Sequence, residues 1–232
     1  MKKKYLSFIL ILSFFAFLAG CGSFPQQREK FTVSLNSPQI PIGEIETQFS
    51  AFMSFGKLKK DTVKTIYFPK EDAVCLQYRR ELVTYHQFWS YSGRQTFITA
   101  LERYNNDYTE RNLNTQNSRT LRNYGVVEGY LYWQQFSFTV LAKANVTMDI
   151  GYQFKDEAPY FSFNQREAEY KEEISNDSSR TSAATTFYFT RAQAAELAAI
   201  FDQSFLRSLI TVPIPGITDE PEEEIKIDRD VY

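Results

Sequence analysis

The chain has 232 residues, 43% of them hydrophobic and 23% charged, with 26 basic against 28 acidic side chains and a formal net charge of −2. That length is enough for one domain with a substantial core, and the slightly acidic balance excludes the basic footprint of a nucleic-acid binder. One histidine and two cysteines also exclude histidine-rich zinc sites and a multi-disulfide framework.

Lys2, Lys3 and Lys4 form a basic start, and Tyr5 to Ala19 is an uncharged, mostly apolar run of fifteen residues. This is the form of an export signal, and it falls short of the roughly 20 residues that a permanent spanning helix needs. Leu18-Ala19-Gly20-Cys21 closes the run. The arrangement resembles the signal and lipobox of bacterial lipoproteins. The resemblance implies cleavage between Gly20 and Cys21, a diacylglycerol on the Cys21 sulfur and acylation of the new amino group. Two or more acyl chains hold a protein firmly on a membrane, where one holds it only marginally. Gly22, rather than Asp, leans by analogy with enteric bacteria toward the outer membrane. Loss of the three lysines leaves the remainder at about −5. With Cys21 lipidated, Cys75 has no partner inside the chain, and Val74-Cys75-Leu76 reads it as a buried small hydrophobe.

Pro25, Pro38 and Pro41 lie among polar residues after the lipobox, as in an extended tether. The expected organisation is a cleaved signal over 1–20, a lipidated cysteine and flexible tether over 21–43, one domain over 44–212, and an acidic, proline-containing tail over 213–232.

Within the domain, Ile45 to Phe55 alternates apolar and polar residues at the two-residue period of a half-buried strand. Thr62 to Phe68 and Ala73 to Trp89 are further strand-like runs, joined through Pro69-Lys70-Glu71-Asp72. The phase changes between Leu82 and Val83, which predicts a bulge or a break. Ser92 and Gln95 have the form of a capping box before a helix whose face is Phe97, Leu101, Tyr104 and Tyr108. The Asn-rich stretch from Asn105 to Asn117 is read as its fraying end and a loop. Strands resume over Arg122 to Val140, Val146 to Phe154, Pro159 to Glu173 and Ala183 to Phe189. Thr190 and Gln193 then open a second helix with the stripe Leu197, Ile200, Phe201, Phe205 and Leu209, ended by Pro213. Strands, helix, strands, helix with tight turns predict α+β: a mainly antiparallel sheet of about six to seven strands packed by two helices, with an incomplete β-barrel and covering helices as the alternative.

Motifs of catalysis are absent: there is no G-x-S-x-G elbow and no glycine-rich phosphate loop. Ser54-Phe55-Gly56-Lys57 has the S-x-x-K spacing without its companion motifs. His86 reads as a strand side chain, and Glu167, Glu169, Glu172 and Glu173 as a solvated face. No catalytic residue, metal site or cofactor is expected. The densest aromatic run is Tyr124 to Phe138, with Tyr130, Tyr132, Phe136 and Phe138 on one strand face and Leu131 and Trp133 on the other. It is either a strand buried on both sides or a contact surface, with Tyr130, Tyr132 and Trp133 as the candidate contacts. Arg79, Arg80, Arg94, Arg103, Arg119 and Arg122 flank it, mixed with acidic residues, and read as scattered surface charge. The expected role is a membrane-anchored envelope lipoprotein that binds or interacts without catalysis, its partner an envelope protein, glycan or lipid. The alternative is an envelope or cell-wall hydrolase using acidic residues.

Overall fold

In the structure, a computed structural model, the described residues are 31–50, 57–117, 123–135, 141–170 and 180–211. Strands β1 (Ile40–Ser50), β2 (Leu58–Phe68), β3 (Ala73–Arg80) and β4 (Val83–Trp89) precede helix α1 (Tyr91–Thr109). Strands β5 (Gly125–Gln135), β6 (Ala142–Lys155), β7 (Ala158–Gln165), β8 (Ala168–Tyr170), β9 (Arg180–Ser182) and β10 (Thr185–Phe189) follow, then helices α2 (Arg191–Phe201) and α3 (Gln203–Thr211).

Eight strands close into an antiparallel barrel in the order β1-β10-β7-β6-β5-β4-β3-β2, and β8 pairs with β9 in a separate two-stranded sheet. The molecule is α+β and its barrel antiparallel, as expected, but it has eight strands rather than six to seven and closes fully, which bears out the barrel alternative in part, and three helices among the described residues accompany it. Closure comes from Gln48 opposite Tyr188 and Phe49 opposite Phe187. Those partners lie about 140 residues apart, so nothing in local alternation announces them. The hairpins are local. Asp156 and Glu157 both take positive φ, 49° and 67°, in the two-residue turn between β6 and β7. Glu81, at φ 54°, turns β3 into β4, so the predicted phase change at Leu82 is a break.

The registers place Phe68, Ala73, Trp89, Gly125, Lys155, Ala158 and Phe189 around one rim. The three helices of the described residues emerge there. Ser90, two residues before the predicted cap, accepts from the Gly93 N–H at 3.3 Å and starts α1. Thr190 and Gln193 form the predicted box at α2, with both hydrogen bonds made. The single helix expected over the last stripe is two, because the backbone at Asp202 turns extended (ψ 132°). The Asp202 carboxylate then accepts from the Ser204 and Phe205 N–H groups at 2.9 and 3.0 Å and opens α3. The break moves the buried position from the predicted Phe205, which is 37% exposed, to Leu206, which is fully buried.

The barrel interior is filled with side chains. Trp89 packs against Phe97, Phe163 and Phe201 with ring centroids 5.8, 5.1 and 5.2 Å apart, and Phe163 stacks on Phe187 at 4.3 Å. Polar atoms inside are paired in sequence. Trp89 Nε1 donates to Gln87 Oε1 at 3.1 Å, and Gln87 Nε2 and Tyr78 OH both donate to Gln165 Oε1, at 2.7 and 2.8 Å. Helix α1 is pinned by Arg94, wholly buried, whose Nη2 donates to Asp72 Oδ1 at 2.8 Å and Gln203 Oε1 at 2.6 Å.

A second cluster lies on the outer wall. Val33, flanked by Phe31 and Leu35, covers Phe68, Cys75, Phe88, Tyr130 and Tyr132. Tyr132 OH donates to the Val33 carbonyl at 2.6 Å, and Ser37 donates to Glu71. Burial, then neighbouring Tyr130, pushes the Tyr132 phenol up to about 12, so it keeps the proton it donates. This strap and β1, starting at Ile40, occupy part of the stretch predicted as flexible tether. The alternating apolar residues Phe31, Val33 and Leu35 give it a face to bury. The lipobox, Cys21 and the rest of the tether lie outside the described residues, as does the tail from Pro213 onward.

Candidate functional site

Tyr130, Tyr132 and Trp133 are all buried: Trp133 belongs to the interior cluster, and the two tyrosines pack beneath the strap. From Tyr130 to Trp133 the strand is thus covered on both faces, whereas Val126, Glu128 and Gln134 are exposed; Phe136 and Phe138 lie outside the described residues. The flanking arginines among the described residues do not converge. Arg94 is inside the network with Asp72, Arg79 donates to the Glu81 carbonyl at 3.3 Å, Arg80 donates to Thr185, Arg103 is exposed, and Arg119 and Arg122 lie outside the described residues.

His86 sits on β4 with its Nε2 3.0 Å from Gln77 Nε2, and burial holds its pKa below the usual value. The Gln77 amide is the hydrogen-bond partner of that ring nitrogen. That is a strand side chain with no nucleophile beside it. Glu167 and Glu169 are exposed at β8, Lys57 is exposed, and Glu172, Glu173 and Ser54 lie outside the described residues. Among the described residues no group of three or more His, Cys, Asp or Glu side chains converges as a metal site. None of their helices is long and apolar enough to cross a membrane.

The concave surface lies instead at the helical rim, around the end of α1. Its Asn-rich exit folds into a defined loop: Asn112 N–H donates to the Asp107 carbonyl at 2.8 Å and Arg111 N–H to that of Tyr108 at 3.3 Å, closing the helix as a Schellman motif. Arg111 takes φ 59° there, a left-handed conformation that glycine adopts without strain. The loop then runs against β6. Asn114 N–H donates to Tyr152 OH at 2.9 Å, Phe154 N–H donates to the Asn117 carbonyl at 2.9 Å, and the Asn117 side chain donates to the Tyr152 carbonyl.

Two clefts flank this loop. The first, about 290 Å³, is lined by Asp107, Asn114, Asn117, Asn123, Tyr124 and Tyr152. Tyr124 OH donates to Asp107 Oδ2 at 2.8 Å; burial first, and that hydrogen bond second, push its phenol pKa up. The second, about 570 Å³, lies in the size range of small-molecule sites. Tyr108, Leu113, Phe154 and Pro159 give it apolar walls, and Thr109, Thr115, Arg111 and Arg191 its polar groups. Arg191 lies over the Tyr108 ring at 4.5 Å from the centroid, and its Nε donates to Asn105 Oδ1 at 3.1 Å. The clefts adjoin: the Tyr152 ring of the first is 6.2 Å from the Phe154 ring of the second.

The sequence reading placed candidate contacts in the aromatic strand and passed over this loop. The available signal was a long polar connection rich in Asn, of the kind that carries function on a rigid scaffold. Arg191 had no local signal, since it meets the loop only through the fold.

No curated protein and no solved structure matches the chain. A family described as "Uncharacterised Treponema protein" matches residues 28–208, more than three quarters of the chain, from just before the strap to within α3, so it covers the barrel, its helical rim and both clefts. The chain belongs to that Treponema family.

Proposed function

We propose that this protein is a lipid-anchored bacterial envelope protein, anchored through Cys21 and leaning toward the outer membrane, whose barrel binds an envelope ligand without transforming it. The anchor rests on Leu18-Ala19-Gly20-Cys21. The observation that carries the binding reading is the pair of adjoining clefts at the helical rim, outside a barrel packed solid with rings. A binding rather than hydrolytic role is supported by their lining. Among the described residues Asp107 is the one carboxylate in the first cleft and none lines the second, whereas glycoside hydrolysis uses two carboxyls facing each other across the scissile bond.

The test uses a photo-crosslinking side chain at Thr115, within the second cleft, in cells. It is expected to label an envelope component, whereas the same group at Arg79, by the opposite rim, is not. Cys21→Ser in the same cells is expected to release the protein from membranes or leave it unprocessed. Equal labelling from both positions, or none from Thr115, refutes the cleft; normal processing and membrane retention of Cys21→Ser refute the anchor.

A further inference from the structure

We infer that the second cleft holds the acidic group of a saccharide between Arg111 and Arg191, with the sugar body against Tyr108 and Phe154 and the chain continuing toward the first cleft. The inference rests on the reading that the clefts bind a ligand. Three observations carry it.

The first is charge. Among the described residues two arginines and no carboxylate line the second cleft, and neither arginine forms an ion pair. Arg191 is held at Nε by Asn105 and across its face by Tyr108, which leaves its two terminal NH2 groups for a ligand. A guanidinium so fixed offers a planar fork matched to a carboxylate or a phosphate.

The second is placement against local preference. Arg111 stands in the left-handed position of a Schellman motif where glycine fits better. Arg191 stands at the first position of α2, where the helix dipole disfavours a cation. Arg111 breaks its local rule with no hydrogen bond or ion pair of its side chain among the described residues in return, as residues at functional positions do, whereas Arg191 is held at the cleft by Asn105 and Tyr108. The same dipole adds positive potential facing the cleft.

The third is the neighbouring cleft. Asn123 carries an amide with donor and acceptor side by side, the pairing that vicinal hydroxyls require, and Asn114 adds an NH2 donor, its Oδ1 accepting from the Gln116 N–H at 3.0 Å. Tyr and Phe rings supply faces for a sugar's apolar side. A peptide strand finds no free edge to join at this point, because the Phe154 N–H is already taken by Asn117.

The test is binding of the full chain, purified in detergent, to immobilised oligosaccharides of matched length: uronic-acid oligomers, their methyl esters, phosphorylated oligomers and neutral N-acetylglucosamine oligomers. An acidic series is expected to bind, with carboxylate and phosphate arms identifying the acid, and the methyl esters are expected to bind at least about tenfold more weakly. Arg111→Gly and Arg191→Gln are each expected to weaken acidic binding by about tenfold or more. Arg111→Gly should melt no lower than the parent, which separates lost binding from lost fold. Failure of every acidic oligomer, esters bound as tightly as acids, or variants that bind like the parent overturns the inference. In those cases labelling from Thr115 decides independently whether the clefts bind anything.

Discussion

Gly129 on β5 is required by space. A Cβ there would stand 2.6 Å from the Phe88 carbonyl oxygen and 2.8 Å from Met148 Cε. The carbonyl belongs to the neighbouring strand and cannot retreat without disturbing the β4–β5 ladder. Gly129→Ala is therefore expected to destabilise the fold by about 1–3 kcal/mol, read as a lower urea midpoint with an unchanged slope; an unchanged midpoint would show that the barrel relaxes there. Single residues were also where reading by type was least informative. Arg94 reads as one more surface charge, yet its partners Asp72 and Gln203 lie 22 and 109 residues away, and only the fold brings them to it. Cys75 and His86, by contrast, were legible from the alternation around them, because a strand's period assigns each side chain a face before any tertiary contact is known.

At the scale of elements, alternation made most strands readable, and β1 and β6 show why. Ile45, Thr47 and Phe49, and likewise Val146, Met148, Ile150 and Tyr152, are buried on one face as the two-residue period requires. Helix continuity was less legible, since an apolar stripe runs through Asp202 as if the helix did. The carboxylate there competes for backbone N–H groups and wins. The Ser204 hydroxyl first, then the Phe205 N–H, hold its pKa below the ordinary value. A depressed carboxyl contributes stability above its unfolded pKa, about 3.9, and the contribution is lost as pH falls through the lower folded value. Asp202→Ala is expected to lower stability by about 1 kcal/mol at neutral pH, with the gap to the parent narrowing below pH ~4. Chemical denaturation at pH 7 and pH 3 checks both, and a gap independent of pH would show that the charge plays no part in the cap.

For the whole molecule, barrel closure and the position of the clefts follow from long-range pairing that no local pattern carries. The strap is the other product of tertiary structure, and Cys75 beneath it is a reporter of its cover: burial raises the thiol pKa well above its ordinary value and keeps the group unreactive. In a Cys21→Ser background Cys75 is the sole thiol. Val33→Ser removes most of one buried apolar side chain, a loss of about 1.5–3 kcal/mol, and is expected to speed Cys75 labelling by a thiol reagent about tenfold or more through local opening. The barrel's own melting should move far less. Labelling that tracks global unfolding in both proteins would show that strap and barrel open as one unit.

The strap also determines where force enters the barrel. Tension arriving along the chain from its N-terminal side meets the packed residues Phe31, Val33 and Leu35 before it reaches β1. The Tyr132–Val33 hydrogen bond and the Ser37–Glu71 contact take up load ahead of the ladder that joins β1 to β2 and β10. The strap thus works like the clamp on a cable, letting the N-terminal segment be pulled while the strand that closes the barrel stays unloaded.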